Sequence, residues 1–272
     1  MLDETPLFFE NSGQKLFGVI HKPDNLNINK AIVFCHAFAE EKLWSHRVYV
    51  SLARSLVKLG YLVMRFDYRG YGDSEGDFSS CSITSYKSDI QCAVEYLRNE
   101  YSGLTEIGLF GHRLGASIAV NIKDEINING PIILWDPITD GDRYMQEFLR
   151  SHLSTQLAIY NEIRETRDQL VEKLEQGEMI NVEGYDLSIQ QFESITNFNL
   201  INITSTLSSK CLIVQTGRNE KPKKDIKLLS DSLGAELLVV KEEPFWREIK
   251  QFYFEAKNMN SVTLEWISEN YG

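Results

Sequence analysis

From residue 30 onward, short apolar runs alternate with longer stretches in which apolar residues recur every three or four positions. This rhythm restricts the fold more than any other feature. An unbroken apolar run of about four to eight residues is short for a buried helix and reads as a strand covered on both faces. The runs are Ala31 to Cys35, Tyr61 to Phe66, Ile107 to Phe110, Pro131 to Trp135, Cys211 to Gln215 and Glu236 to Val240. Between them, Val48, Leu52, Leu56 and Leu59 mark one helix face that stops at Gly60, and Ile83, Tyr86, Ile90, Ala93 and Leu97 mark another. Ala116 to Ile122, Lys224 to Leu233 and Val262 to Ile267 continue the pattern. Strands separated by helices pair in parallel, so the expectation is an α/β fold with helices on both faces of the sheet. Ahead of this region, Leu7 to Phe9 and Lys15 to Ile20 flank Asn11-Ser12-Gly13, a hairpin signal, and a polar Asn-rich loop, Asp24 to Asn29, follows.

The rhythm breaks once. From about Thr139 to Ser205 the sequence is polar with a helical period, and Leu153, Leu157, Tyr160, Ile163, Leu170 and Leu174 are spaced for a pair of amphipathic helices. With no internal repeat and no flexible linker, residues 139–205 read as a helical cap inserted into one core built from 1–138 and 206–272.

Composition removes whole classes of function. Twenty-eight Lys and Arg against 39 Asp and Glu leave a net charge of −11, which repels a nucleic-acid backbone. No apolar run approaches the ~20 residues that span a bilayer. The start, Met1-Leu2-Asp3-Glu4-Thr5-Pro6, is acidic where an export signal is basic, so a cytoplasmic location is expected. The four cysteines, Cys35, Cys81, Cys92 and Cys211, include no C-x-x-C pair, which argues against a zinc site and a disulfide framework. Neither a metal nor a cofactor is expected.

The Gly-rich segment Phe66-Asp67-Tyr68-Arg69-Gly70-Tyr71-Gly72-Asp73-Ser74-Glu75-Gly76 matches neither a Walker loop nor a dinucleotide fingerprint. It resembles the loop after the fourth strand of the α/β-hydrolase superfamily, in its serine aminopeptidase-like branch. That resemblance runs over nearly the whole chain and implies a mostly parallel eight-stranded sheet. In that fold a nucleophilic serine sits on a G-x-S-x-G elbow, a strained turn between strand and helix. Here the segment reads Gly111-His112-Arg113-Leu114-Gly115, with both glycines in place and arginine where serine belongs. A guanidinium stays protonated at any working pH and is no nucleophile. The fold's histidine follows the last strand, yet the five histidines, His21, His36, His46, His112 and His152, all precede it, and Lys241-Glu242-Glu243-Pro244-Phe245-Trp246 stands there instead. Where the triad acid is expected, Thr216-Gly217-Arg218-Asn219-Glu220 carries an asparagine; Glu220 and Asp136 are the available substitutes. An acid without its histidine has nothing to orient.

A closer resemblance lies in His36-Ala37-Phe38-Ala39-Glu40-Glu41-Lys42, in Arg113-Leu114-Gly115-Ala116, in Trp135-Asp136-Pro137 and in Gly184-Tyr185-Asp186-Leu187-Ser188. Together these resemble the exosortase A system-associated hydrolase 2 family, in which arginine at the elbow is itself expected. That resemblance implies acyl or carrier-linked chemistry in a biosynthetic pathway, with an acyl carrier protein or a paired active hydrolase as partner.

Each candidate residue also has a plain structural reading. His36 falls where the fold places its oxyanion loop, or is simply a satisfied histidine at a strand end. Arg113 is either a clamp for a ligand's anion or an internal ion pair with Asp136, Glu40 or Glu41, because an unpaired buried guanidinium costs several kcal/mol. His36, His112, Arg113 and Asp136 are the candidates for any residual catalysis; Arg113, His36, Phe38, Glu40, Glu41, Arg218 and Lys221 are those for ligand binding. Cys35 precedes His36, but adjacent strand residues face opposite ways, so the two do not form a nucleophilic pair. Ser117 reads as packing. Arg218, Lys221, Lys223, Lys224 and Lys227 run against the net charge; they are either a solvated face or a local attraction for a phosphate, a carboxylate or an acidic carrier protein. The residues thus point to a hydrolase fold without the Ser-His-Asp triad that binds an acidic or acyl ligand. The alternatives are an acyl hydrolase, thioesterase or acyltransferase with non-standard residues, and a non-catalytic partner of an active hydrolase.

Overall fold

The computed structural model describes residues 3–24, 27–200, 209–219, 221–247 and 254–272. The chain opens with β1 (Asp3–Asn11) and β2 (Gln14–Lys22), joined by Ser12 and Gly13, both at positive φ (54° and 80°) as a two-residue hairpin turn requires. There follow β3 (Lys30–Cys35), α1 (Glu40–Lys58), β4 (Leu62–Phe66), α2 (Ile83–Glu100), β5 (Glu106–His112), α3 (Leu114–Ile122) and β6 (Ile132–Trp135). The insertion holds α4 (Gly141–Tyr160), α5 (Arg167–Glu175), β7 (Ile180–Val182), β8 (Tyr185–Leu187) and α6 (Ile189–Thr196). The chain then returns through β9 (Cys211–Thr216), α7 (Lys224–Leu233), β10 (Glu236–Val240) and α8 (Lys257–Tyr271).

Eight strands form one sheet in the order β1-β2-β4-β3-β5-β6-β9-β10, antiparallel only where β1, β2 and β4 meet. This is the mostly parallel α/β-hydrolase sheet that the alternation and the resemblance imply. Strand residues alternate between two apolar layers. Val33, Met64 and Leu109 pack on one face with residues of α2 and α3, and Ile32, Val63 and Phe110 on the other with α1 and α8. Both faces are covered, which is why these strands read as unbroken apolar runs. Among the described residues, no helix is long and apolar enough to cross a membrane.

The insertion leaves and rejoins the core at one neck, where Asp140 bridges Asn199, Gly141 N–H donates to Phe198 O (2.9 Å) and Leu200 N–H to Thr139 O (2.9 Å). Its buried residues, among them Met145, Leu149, Leu174 and Ile195, are continuous with the α2–α3 layer. Two features differ from the helical pair that the sequence pattern suggests. A hairpin, β7–β8, turns at Glu183-Gly184 (φ 53° and 92°), and α6 follows it; three-residue strands are too short to show an alternation. Leu157, Tyr160 and Ile163, spaced as if to pack, are instead exposed at the far end of α4.

Candidate functional site

The elbow is built in full. β5 ends at His112, α3 starts at Leu114, and Arg113 between them has φ 54° and ψ −123°. No room exists for side chains at the flanking glycines: a Cβ on Gly111 would lie 2.3 Å from Ala116 Cα, and one on Gly115 2.2 Å from the carbonyl oxygens of both Cys35 and His36. Such a backbone persists only where its surroundings over-determine it. Here the Arg113 N–H also donates to Trp135 O (2.9 Å), tying the turn to β6.

The Arg113 side chain is 9% exposed, and its Nε donates to Glu41 Oε1 (3.0 Å). Tyr144, from the first turns of α4, donates its hydroxyl to Glu41 Oε2 (2.8 Å). The guanidinium lies between the rings of Trp246 (5.2 Å) and Tyr144 (5.6 Å). Glu41 sits in the first turn of α1, where the helix dipole favours an anion. Of the three carboxylates proposed as partners for Arg113, Glu41 is therefore the one paired with it. Asp136, at φ 43° after β6, accepts the Thr216 N–H instead (3.1 and 3.2 Å to its two oxygens). Burial pushes its carboxyl up to about 6, against the opposing pull of the Arg113 charge. Glu40 is half-buried with partners of its own.

Both histidines near the elbow are held by the protein. His36 Nδ1 lies 2.7 Å from Ala37 O, so that nitrogen carries the proton, and Nε2 accepts the Tyr68 N–H (3.1 Å). Packed against the tilted Tyr68 ring and edge-on to Tyr71, the ring is pushed down to about 3, chiefly by desolvation. His112 Nδ1 meets the Tyr49 hydroxyl (2.8 Å), which already accepts the Ala37 N–H (3.2 Å). His112 Nε2 has no hydrogen-bond partner among the described residues. Burial and then the neighbouring Arg113 charge hold His112 well below its ordinary value, so it is neutral.

Where the fold's catalytic histidine belongs, in the loop after β10, Phe245 stacks on His112 (5.2 Å, 18°) and Trp246 packs edge-on against it (5.1 Å). Asn219 is exposed, and Glu220 lies outside the described residues. Ser117 is bonded both ways to the Ile138 backbone (2.7 and 2.8 Å), and Ser45 donates to Glu41 O (2.7 Å). Burial pushes the Cys35 thiol up to about 12. None of these is poised as a nucleophile.

Around Arg113 the backbone has one further feature. The loop between β3 and α1 is pinned by two tyrosines: Tyr49 accepts the Ala37 N–H, and Tyr71 accepts the Ala39 N–H (3.1 Å). Between them the Phe38 N–H has no acceptor among the described residues, and neither has the Leu114 N–H at the start of α3. In a hydrolase of this fold these two positions supply the oxyanion hole. Both residues line a narrow crevice, too tight to admit a water molecule, with His36, Tyr68, Tyr71, Tyr86 and Ile118. Phe38 itself is buried among Phe78, Tyr144 and Phe148. Arg218 and Lys221 stand exposed on the loop after β9, at the same edge of the sheet as the elbow. Sequence reasoning missed Tyr49, Tyr71, Tyr144 and Trp246. Only the aromatic residues after β10, where a histidine belongs, signalled any of them.

Residues 27–178, more than half of the chain, match the family described as serine aminopeptidase, S33. Protein ABHD12B of Homo sapiens is 34% identical over 116 residues, 41% of this chain and 30% of that protein. Lysophosphatidylserine lipase ABHD12 of Danio rerio is 33% identical over 125 residues, 44% of this chain and 30% of the lipase. The matched region thus spans about a third of the length of these relatives. Among solved structures, Est1E of Butyrivibrio proteoclasticus, with ferulic acid bound, superposes with a TM-score of 0.67 at 15% identity, over 97% of this chain and 98% of that one. A putative hydrolase of Agrobacterium vitis gives 0.63 at 15% identity over both whole chains. At such identity the likeness is one of fold, and it agrees with the strand order. The chain belongs to the serine aminopeptidase S33 family of α/β hydrolases.

Proposed function

We propose that this chain binds an acyl group at its elbow and does not cleave it by a serine mechanism. The observation that carries the reading is Arg113 locked to Glu41 at the nucleophile position, beside two backbone N–H groups that have no acceptor among the described residues. A carbonyl oxygen accepting from Phe38 and Leu114 would satisfy both donors, and the aromatic wall of Phe38, Tyr68, Tyr71 and Tyr86 would cover the acyl carbons. The crevice is too tight to admit even a water molecule as it stands, so an acyl chain would enter it only by displacing side chains of that wall. Binding therefore rests on the amides and the apolar wall, with Arg113 as an internal partner of Glu41. His36 shapes the loop, and Arg218 and Lys221 would face the acidic part of a larger ligand, such as a carboxylate, a phosphate or a carrier.

We further read residues 139–205 as a cap on a core of 1–138 and 206–272, and the chain as a cytoplasmic member of the exosortase A system-associated hydrolase 2 branch, acting in biosynthesis. The motifs at 36–42, 113–116, 135–137 and 184–188 support that branch. The free amides also favour a second reading, an acyl hydrolase or acyltransferase that uses Asp136 as its acid-base group. The experiment titrates ¹⁵N-labelled protein with butyryl and hexanoyl thioesters of N-acetylcysteamine. Binding without cleavage requires shifts of the Phe38 and Leu114 amide resonances while the thioester stays intact for hours. Thiol release at an ordinary enzymatic rate, about 1 s⁻¹ or faster, establishes the second reading. Unshifted amides dismiss both.

A further inference from the structure

The segment 218–227 places five cations in a chain of net charge −11. Arg218, Lys221, Lys223, Lys224 and Lys227 are all exposed, on the loop after β9 and the first turn of α7. Of the two acidic residues in the segment, Glu220 lies outside the described residues, and Asp225 is bonded to Thr139 (2.8 Å) and paired with Arg143 at the base of α4. Lys227 has a partner on its own helix, Asp231, in an exposed pair with little net effect. The cations also stand at the wrong end of their helix. Lys223 is the N-cap of α7 and makes no side-chain cap, and Lys224 is the first helical residue, where the helix dipole is positive and favours anions. Beside them, one turn on from Lys224, Leu228 is 48% exposed.

We propose that this strip docks an acidic helix of a partner protein, its carboxylates facing Arg218, Lys221 and Lys224 and an apolar side chain covering Leu228. Three features favour a protein over other anions. Four of the five cations are lysines, point charges that impose no bidentate geometry, so carboxylates distributed along a helix can satisfy them. Its five cations are all exposed and spread over ten residues, so one small anion cannot meet them together. An anionic bilayer is a plane that would engage the acidic surface around the strip as well, and the net charge of −11 would repel it. A single acidic helix covers only the strip. Because the loop follows β9 at the edge of the sheet where the elbow opens, a docked partner would sit near that opening. The inference rests on the charge pattern alone and does not depend on the elbow reading.

The test uses the whole chain and a 20-residue helical peptide with glutamates flanking a leucine stripe, followed by fluorescence anisotropy in 50 and 200 mM salt. Docking requires that binding weaken roughly tenfold at the higher salt. Lys221→Glu with Lys224→Glu should weaken it roughly tenfold or more without lowering the melting temperature, since an anion suits this helix end, and Leu228→Ala should weaken it several-fold. A lysine-for-glutamate version of the peptide should not bind. The proposal fails if the double reversal leaves binding unchanged. It also fails if phosphatidylglycerol–phosphatidylcholine (1:1) vesicles or inorganic phosphate bind the strip and the peptide does not. No acyl ligand is present, so a failure of the elbow reading leaves this result untouched.

Discussion

Arg113 combines a backbone at positive φ with a buried charge, and local contacts answer both: the Trp135 carbonyl anchors the turn and Glu41 neutralises the guanidinium. Arg113→Ala removes the pair and leaves Glu41 with only Tyr144 as side-chain partner. Orphaning a fully buried charge costs about 3–5 kcal/mol. Glu41 is 15% exposed and keeps the tyrosine, so a loss of about 2–3 kcal/mol in urea unfolding is expected; a loss below about 0.5 kcal/mol would show that the pair contributes nothing. Gly115→Ala should be worse, at least about 3 kcal/mol, since its Cβ would collide with two backbone oxygens that have no freedom to move. A soluble, equally stable Gly115→Ala protein would contradict the elbow geometry. At this scale the sequence was informative where a residue type is dictated by backbone: the two glycines and the arginine announce the elbow. Tyr144 left no signal, because it reaches Glu41 across 103 residues and its helix position looks like any other amphipathic one.

The elements show where pattern reading works and where it stops. Strands covered on both faces are visible as apolar runs, and α1 and α2 as periodic faces. The hairpin β7–β8 is too short to read, and the apolar residues at the end of α4 follow a helical period without being buried. The free Phe38 amide was not legible either, since it depends on Tyr49 and Tyr71 reaching the amides on either side. Around this loop, stability should depend on pH. His36 and His21 are held down to about 3 and about 4, by desolvation first, so both are neutral in the fold and charge near 6.5 once unfolded. Their contribution is complete above about pH 6.5 and is lost as pH falls through the folded values. Asp136 acts oppositely: raised to about 6, it favours the fold below about pH 4 and loses that contribution as pH rises through 6. Two histidines outweigh one carboxyl, so the urea midpoint should fall between pH 7 and pH 5. A midpoint that is constant or rises would mean that the histidines are not buried as described.

For the whole molecule, the mostly parallel sheet was legible from the alternation, and the α/β-hydrolase family from the resemblance at 66–76 and the Gly-x-x-x-Gly spacing at 111–115, because those features report backbone constraints that no later contact overrides. The proposed function rests on subtraction from the sequence: arginine at 113 between the two glycines, no histidine beyond residue 152, and Phe245-Trp246 after β10. The proposed acyl-binding function rests on two amides without acceptors among the described residues, those of Phe38 and Leu114, and on the aromatic side chains beside them. The most direct test exposes the protein and its Arg113→Ser variant to a fluorophosphonate that reacts with activated serines, followed by intact mass. The account predicts no adduct on either protein, because the variant regains a hydroxyl but no histidine to activate it. One phosphonyl group added stoichiometrically to the unaltered protein would contradict it.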